Sequence, residues 1–175
     1  MKGNLIVTSE NLQAFERGLF LLDSSIQEIR RVAYNMLPEV LVRQGLDAAL
    51  KELCVNFNQP DRPKVSYQSV GIAEREIVQT TALAIYRITE ELIINTIKHA
   101  AAKTAVVQLI ATGDQLLLTV ADDGKGFDPA ILDKASRGFG WSNIQNRLDD
   151  VKGKLDIRSG SGNGTAVQIK INADA

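Results

Sequence analysis

The sequence predicts an α+β fold in which a helical hairpin precedes a two-layer sandwich of helices on one face of a mostly antiparallel sheet. Three observations lead to this prediction. Apolar residues recur at helical spacing up to about Phe57. From residue 64 onward, β-rich runs are joined by short turns. One long, largely apolar helix interrupts those runs, which is typical of helices packed on a sheet rather than of a helical bundle.

The bulk composition limits the possible function. The chain has 175 residues, 45% of them hydrophobic, which suffices for one folded domain with a helical extension. The net charge is −1 with no basic tract, so the sequence does not indicate binding to nucleic acid. A ligand that carries phosphate must therefore be held by local groups rather than by a global field.

Cysteine content and hydropathy indicate a cytoplasmic protein. The single cysteine, Cys54, excludes an intrachain disulfide and is expected to be an apolar core residue. We identify no signal peptide, and no apolar run reaches the roughly 20 residues of a membrane span. We therefore expect no membrane contact by this chain, although upstream sequence could anchor a longer parent protein.

The first region carries a heptad pattern, because its apolar positions alternate in steps of three and four. Such a seam is typical of helices packed at a shallow angle. Pro38 is expected to end this helix, and a shorter helix is expected after Gly45. A lone hairpin cannot bury two apolar faces, so we expect a homodimer through these helices; the alternative is packing on the chain's own second domain. The seam residues are Leu12, Phe15, Leu19, Leu22, Ile26, Ile29, Ala33 and Met36.

The second region, residues 64–173, follows a proline-containing linker at 58–64 and is expected to fold as a separate domain from residues 1–58. Its helices are predicted at Ala73–Ala100 and Trp141–Val151, with Gly153 stopping the second one. The β-rich runs predict strands at Val65–Val70, Thr104–Ala111, Gln115–Ala121, Lys154–Ser159 and Thr165–Ile171.

A polar stripe runs along the long helix. Glu91, Asn95, Lys98 and His99 fall at i, i+4, i+7 and i+8, so a regular helix places them on one face. Polar groups among apolar neighbours need partners. The amide oxygen of Asn95 suits Mg²⁺, Glu91 can accept a proton, and Lys98 suits phosphate oxygens. The alternative is an ordinary set of intrahelical and surface polar contacts.

Three glycine segments follow. Gly124 and Gly126, directly after a strand, allow the backbone to turn sharply against a flat ligand, and the carboxylate of Asp122 can accept a hydrogen bond from an exocyclic amine such as that of adenine. The alternative is an ordinary Asp-Gly turn. Gly138 and Gly140 lead into a helix, whose free amides favour phosphate, although an ordinary flexible loop and cap explains them too.

The stretch between these segments, 127–137, is polar and without a strand pattern, so it is expected to form a mobile lid. The third segment, Gly162-Asn163-Gly164-Thr165, is expected to form a hairpin turn in which Thr165 donates toward the adenine region. The order of residues does not match a P-loop, which needs Gly-Lys-Ser/Thr after its first glycines.

In this order the segments resemble the conserved boxes of the histidine kinase, gyrase and Hsp90 ATPase superfamily. Glu91-x-x-x-Asn95-x-x-Lys98-His99 resembles its N box, Asp122-x-Gly124-x-Gly126 its G1 box, Gly138-x-Gly140 its G2 box, and Gly164-Thr165 its closing Gly-Thr. Upstream, residues 30–38 and 45–50 resemble the second dimerisation helix of the sensor kinases that include bacterial nitrate sensors. The resemblance covers nearly the whole chain.

The resemblance implies a Bergerat-type ATP-binding domain that uses ATP and Mg²⁺. It also implies phosphorylation of a histidine and transfer to an aspartate on the receiver domain of a response regulator. Carried across, Asn95 would hold the metal, Glu91 would act as base or polariser, Lys98 and His99 would contact phosphate, and Asp122 would recognise adenine.

Two features depart from that pattern. Trp141 stands where a smaller aliphatic residue is usual, and the histidine box of the first dimerisation helix is missing, since His99 is the only histidine. We therefore expect a fragment that binds ATP and transfers its γ-phosphate to a histidine elsewhere, without phosphorylating itself. The alternatives are a serine kinase of the anti-sigma-factor type, disfavoured by the heptad hairpin, and a non-catalytic dimerisation module.

Overall fold

The computed structural model describes residues 38–72, 75–133 and 139–173, together with residues 15, 17–19, 21, 22 and 25. The chain divides into two compact units, Met1–Leu37 and Pro38–Ala175. In the first unit the described residues are helical, and the seam residues Phe15, Leu19 and Leu22 are exposed. The other seam residues (Leu12, Ile26, Ile29, Ala33 and Met36) lie outside the described residues.

The second unit contains a five-stranded sheet in the order β1-β2-β3-β5-β4. Its first pair, β1 with β2, is parallel, whereas β2–β3, β3–β5 and β4–β5 are antiparallel, so the prediction of mostly antiparallel pairing is confirmed. The strands are β1 Lys64–Val70, β2 Thr104–Thr112, β3 Gln115–Asp122, β4 Lys154–Ser159 and β5 Thr165–Asn172.

One face of the sheet is buried and the other faces solvent. Alternate residues of β3 and β5, such as Leu118 and Ile169, are buried in a cluster with Ile88 and Leu148 of the helices. The next residues along each strand point to the opposite face. The two-layer α+β sandwich predicted from the sequence is therefore confirmed, with α1 Glu39–Phe57, α2 Gln79–Asn95 and α3 Phe139–Asp150 as its helices.

The first of these helices, α1, belongs to the core of the second unit. It bends at Gly45, where φ is 81° and ψ is −179°, and it continues to Phe57. After the bend, Leu46, Leu50 and Leu53 are buried in the same cluster as the sheet. Cys54 is buried there too, as predicted, and this burial raises the pKa of its thiol to about 12. The expected division into residues 1–58 and 64–173 stays a prediction, but the compact unit begins at Pro38.

The long helix is shorter than predicted. It begins at Gln79 rather than Ala73, after Val78 in an extended conformation. Ile72 and Ile77 both pack on the core. Five residues of helix would turn these two side chains about 140° apart, so one helix through Ile72 and Ile77 would not place both on the same side. At its other end the α-helix passes into a π-helical turn at Thr96–Ala100, which ends on Ala101 in the left-handed conformation.

The last helix, α3, ends in a Schellman motif. The N–H of Gly153 donates to the carbonyl of Leu148 at 2.7 Å, and that of Lys152 to Asp149 at 3.2 Å. The left-handed residue is Lys152, with φ of 50°, so the prediction that Gly153 stops the helix named the wrong residue. Gly153 matters for space instead, since a Cβ there would lie 2.7 Å from Leu148 Cδ2. Within the described ranges, no helix combines the length and hydropathy needed to cross a bilayer.

Candidate active site

A cavity of about 440 Å³ lies in the second unit, between the end of α2, the loop after β3, the start of α3 and the start of β5. Its polar lining comes from Asn95, Thr96, His99, Asp122, Lys125 and Thr165, and its apolar lining includes Leu92, Val120, Phe127, Ile131, Trp141 and Val167. Five of the residues predicted for the site therefore line one cavity: Asn95, His99, Asp122, Gly126 and Thr165.

Asp122 is held firmly in the wall of this cavity. It ends β3 and pairs across the sheet with Thr165, the first residue of β5. One carboxylate oxygen, Oδ1, accepts the N–H of Gly124 at 2.9 Å. The other, Oδ2, lies 3.3 Å from the hydroxyl of Thr96. The side chain is thus oriented by groups on two different elements, as recognition of a planar ligand requires.

The neighbouring aspartate, Asp123, has a different role. Its Oδ1 accepts the N–H groups of Lys103 and Thr104 at 2.7 and 2.9 Å, and its Oδ2 accepts the Thr104 hydroxyl at 2.9 Å. The backbone N–H groups of Thr104 and Lys103 hold the pKa of this carboxyl below its usual value of 3.8. Asp123 is exposed and not part of the cavity lining, so it fastens the start of β2 to the end of β3.

The glycines of the two loops next to Asp122 leave room for backbone rather than for a ligand. A Cβ on Gly124 would overlap the carbonyl oxygen of Ala100, and one on Gly126 would overlap that of Gly160. A Cβ on Gly164, where φ is 68°, would overlap the carbonyl oxygen of Asp122 in the same way. Of these three glycines, Gly126 alone lines the cavity, and the expected ligand contact of Gly124 and Gly126 stays a prediction.

Glu91 and Asn95 meet the first turn of α3. A Cβ on Gly140 would overlap the carboxylate of Glu91 and would lie 3.5 Å from Asn95 Oδ1. Asn95 lines the cavity, whereas Glu91 stands behind it, against Gly140. Gly138, the other glycine of that segment, lies outside the described residues.

The π-helical turn separates the two basic residues of the predicted stripe. Its hydrogen bonds span five residues instead of four, so positions after Asn95 no longer follow the α-helical spacing. His99 lines the cavity, but Lys98 is exposed and does not contribute to its wall. The assumption that all four residues share one face is therefore wrong for Lys98, whereas His99 still lines the cavity with Asn95.

Several cavity residues were not found from the sequence. Lys125 and Phe127 belong to the predicted loop and line the cavity, and Trp141, noted only as unusual, does so from α3. The rings of Phe127 and Trp141 lie 6.1 Å apart at 55°. Part of the expected lid is regular, since residues Pro129–Asp133 form a short 3-10 turn.

Ser159, at the end of β4, joins three segments beside the cavity. Its Oγ accepts the N–H of Phe127 at 2.9 Å and lies 3.1 Å from the carbonyl of Gly164 and 3.0 Å from the hydroxyl of Thr165. A serine at the end of a strand carries no sequence signal for such a role, because its partners come from distant parts of the chain.

The donor set of the cavity fits a nucleotide-bound Mg²⁺ better than a metal held by protein alone. Nowhere in the described part of the chain do three His, Cys, Asp or Glu side chains cluster as metal ligands. The buried amide nitrogen of Asn95 has no hydrogen-bond partner among the described residues. The residue itself lines the cavity, and its amide oxygen is the kind of ligand that Mg²⁺ takes beside the phosphates of a nucleotide.

Comparison with known proteins agrees with this geometry. Residues 80–175 match the model of the family described as histidine kinase-, DNA gyrase B-, and HSP90-like ATPases, and this range includes every cavity residue named above. The chain belongs to this ATPase family. Membership implies ATP binding, so the expected class of ligand is confirmed.

This ATPase chain is similar to two curated histidine kinases. It is 34% identical over 146 residues to the sensor histidine kinase MctS of Rhizobium johnstonii, covering 82% of this chain and 31% of the relative. It is 30% identical over 151 residues to the signal transduction histidine-protein kinase/phosphatase DegS of Brevibacillus brevis, covering 86% of this chain and 38% of the relative. The chain thus spans about a third of the length of these relatives.

Solved structures resemble the chain as well. The histidine kinase domain of a blue-light-activated histidine kinase from Erythrobacter litoralis matches with a TM-score of 0.59 and 26% identity, over 73% of this chain and 61% of that one. A second structure of that kinase matches 99% of this chain and 63% of its own with a TM-score of 0.65 and 22% identity, which supports the fold alone. The predicted histidine-kinase type of ATP-binding module is confirmed; the nitrate-sensor subfamily stays a prediction.

Proposed function

We propose that this chain is the catalytic module of a two-component sensor kinase, which binds ATP with Mg²⁺ and transfers the γ-phosphate to a histidine. The observation that carries the proposal is that Asn95 and Asp122, on different elements, line one cavity. The acceptor histidine lies elsewhere in the parent protein, because His99 is the only histidine here and lines the cavity itself.

The two ends of the cavity suit the two ends of ATP. Near Asp122, the apolar residues Leu92, Val120 and Val167 offer a surface for a flat purine. The carboxylate of Asp122 then accepts the exocyclic amine, and Thr165, beside it in the sheet, contributes a hydroxyl. Asp123 faces away and is not used.

The phosphate end is formed by the last turns of α2 and the start of α3. Asn95 would hold Mg²⁺ through its amide oxygen, and the ion would neutralise charge on the phosphates. His99 and Lys125 line the same cavity and can donate to phosphate oxygens. Gly138 and Gly140 stay candidates for phosphate contact, since the first turn of a helix has free N–H groups. Lys98 stays a candidate through its ammonium group.

Glu91 is proposed as the base of the transfer. An imidazole nitrogen of the acceptor histidine attacks the γ-phosphorus, the bond to the bridging oxygen breaks, and ADP leaves with the electron pair. Glu91 accepts or orients the imidazole proton, as a carboxylate beside the phosphates can. Glu91 precedes Asn95 by one turn of α2 and lies against Gly140 in the first turn of α3, which is near the proposed phosphate end.

Binding of a non-hydrolysable ATP analogue with Mg²⁺ tests the site by calorimetry. Asp122→Asn is expected to weaken binding by about tenfold or more, because a hydrogen bond to a charged group is lost. Asp123→Asn is the matched control and should leave the affinity unchanged. Asn95→Ala should remove most of the dependence on Mg²⁺. Unchanged binding in both Asp122→Asn and Asn95→Ala would exclude this cavity as the nucleotide site.

Phosphate transfer is tested by adding a segment of the parent protein that contains the acceptor histidine. Glu91→Gln should slow the appearance of acid-labile phosphate by about 100-fold or more while ATP affinity stays close to that of the wild type. Transfer from this phosphohistidine to a receiver domain would then identify the response regulator. Acid-stable phosphate on serine would instead support the serine kinase alternative.

We also propose a cytoplasmic homodimer that associates through the N-terminal helices. Three residues of one heptad seam are helical and exposed: Phe15, Leu19 and Leu22. A second copy of the helix would bury these apolar side chains. Replacing Leu19 and Leu22 by glutamate should convert a dimer to a monomer in sedimentation equilibrium. A wild-type chain that is monomeric at high concentration would contradict the proposal.

A further inference from the structure

Thr96 is a polar residue of the cavity that neither the sequence pattern nor the proposed reaction uses. It directly follows Asn95, where the α-helix becomes a π-helical turn, and it is only 5% exposed. Its hydroxyl lies 3.3 Å from Oδ2 of Asp122 and 3.2 Å from the backbone carbonyl of Leu92. A hydroxyl has one proton, so it can donate fully to only one of the two acceptors.

The proton is better placed on the carboxylate than on the carbonyl. The carbonyl of Leu92 already accepts the backbone N–H of Thr96, so it does not depend on the hydroxyl. A hydrogen bond to an ionised carboxylate is about twice as strong as one between neutral groups. If the hydroxyl donates to Asp122, the Leu92 carbonyl still accepts the backbone N–H of Thr96, so both acceptors have a donor.

Donation from Thr96 fixes the plane of the Asp122 carboxylate. The terminal torsion of an aspartate is otherwise broad. Here Oδ1 is held by the N–H of Gly124 and Oδ2 by Thr96, and Oδ2 keeps a second lone pair for a donor in the cavity. An oxygen fixed in this way accepts a hydrogen bond from a ligand with less loss of side-chain freedom.

We propose that Thr96 is a positioning residue that orients Asp122 toward the 6-amino group of adenine and so sets selectivity for aminated purines. This inference rests on the proposed ATP site and extends it to the choice of base. In this role the Thr96 hydroxyl acts on ligand recognition through Asp122. The alternative role is a hydrogen bond to the Leu92 carbonyl that only stabilises the end of the helix.

The test compares two ligands: a non-hydrolysable ATP analogue and the same analogue with hydrogen in place of the 6-amino group. Thr96→Val should weaken the first by between about twofold and tenfold, the range for one hydrogen bond, and leave the second unchanged. Thr96→Ser keeps the hydroxyl and should discriminate between the two ligands as the wild type does. Thr89→Val is the matched control, because Thr89 is buried on the same helix and its hydroxyl bonds the Ile85 carbonyl at 2.8 Å, four residues earlier.

Equal weakening of both ligands by Thr96→Val, or of neither, would overturn the inference, because a packing defect does not depend on the 6-amino group. Melting temperatures of all variants are measured alongside. If Thr96→Val does not fold, Thr96→Ala removes the same hydroxyl without a branched side chain and is judged by the same comparison. Failure of the wild type to bind the first ligand would instead refute the proposed function itself.

Discussion

Two adjacent carboxylates show how far single residues can be assigned from sequence. Alternation along β3 buries Leu116, Leu118 and Val120, so Asp122 shares their side of the sheet and Asp123 does not. The sequence had selected Asp122 for another reason, because it precedes the glycines of the segment that resembles the G1 box. It could not reveal the three hydrogen bonds that Asp123 accepts at Lys103 and Thr104, because these residues are far away along the chain.

Asp123 should make stability depend on pH. Its pKa is lower in the folded chain than in the unfolded one, so its stabilisation is complete above about pH 4 and is lost as the pH falls through the folded value. Unfolding in urea, followed at several values between about pH 7 and about pH 3, is compared for the wild type and Asp123→Asn. The stability difference should be constant near neutrality and should shrink in acid; a difference independent of pH would contradict this role.

Gly164 and Gly162 form a matched pair for the close approach behind the cavity. Both have positive φ, of 68° and 79°, but only Gly164 faces the carbonyl oxygen of Asp122, whereas Gly162 has open space. Gly162→Ala should cost about 1 kcal/mol of unfolding free energy, the strain of a left-handed alanine. Gly164→Ala should cost at least about 3 kcal/mol, because backbone must also move. Equal losses in urea denaturation would show that the carbonyl contact is unimportant.

At the scale of elements, the sequence predicted the strands well and the helix ends less well. Strands bounded by turns, such as the pair joined at Gly113 and Asp114, have local signals on both sides. The late start of α2, the π-helical turn after Asn95 and the left-handed Lys152 depend on contacts with the core. The periodicity of apolar residues does not reveal those contacts. The prediction that Lys98 lies on the face of Asn95 was wrong because it assumed a regular α-helix.

Ser159 is expected to secure the end of β4 to the loop after β3. Ser159→Ala leaves the part-buried N–H of Phe127 without its acceptor, and it should lower the unfolding free energy by about 1–3 kcal/mol. Ser66→Ala is the control, because Ser66 is exposed and its hydroxyl lies 3.4 Å from the carbonyl of Ala105; it should change stability by less than about 0.5 kcal/mol. Similar losses of unfolding free energy for Ser159→Ala and Ser66→Ala in chemical denaturation would show that Ser159 does not secure these segments.

At the scale of the whole molecule, the main surprise concerns α1. The predicted helix after Gly45 is present, and Leu46, Leu50 and Leu53 form its buried face. An amphipathic pattern states that a face is covered but not by what. The size of the hairpin favoured a second copy, with packing on the chain's own second domain as the alternative, and the structure covers this face of α1 with α2 and β1 of the same unit. Asn58 adds to this attachment by exchanging two hydrogen bonds with the backbone of Val65, at 2.8 and 2.9 Å.

The position of α1 sets the minimal folding unit. Residues 38–175 should fold cooperatively, whereas residues 58–175 should not, because burying each lost leucine is worth about 1.5–3 kcal/mol against a total stability of about 5–15 kcal/mol. Leu50→Ala in the intact chain should cost about 2–5 kcal/mol, and Val55→Ala, on the exposed face of the same helix, less than about 0.5 kcal/mol. Circular dichroism and the fluorescence of Trp141 follow the unfolding. If residues 58–175 melt as sharply as 38–175 and gain equal stability from the ATP analogue, α1 is an appendage and the predicted boundary near residue 64 is the correct one.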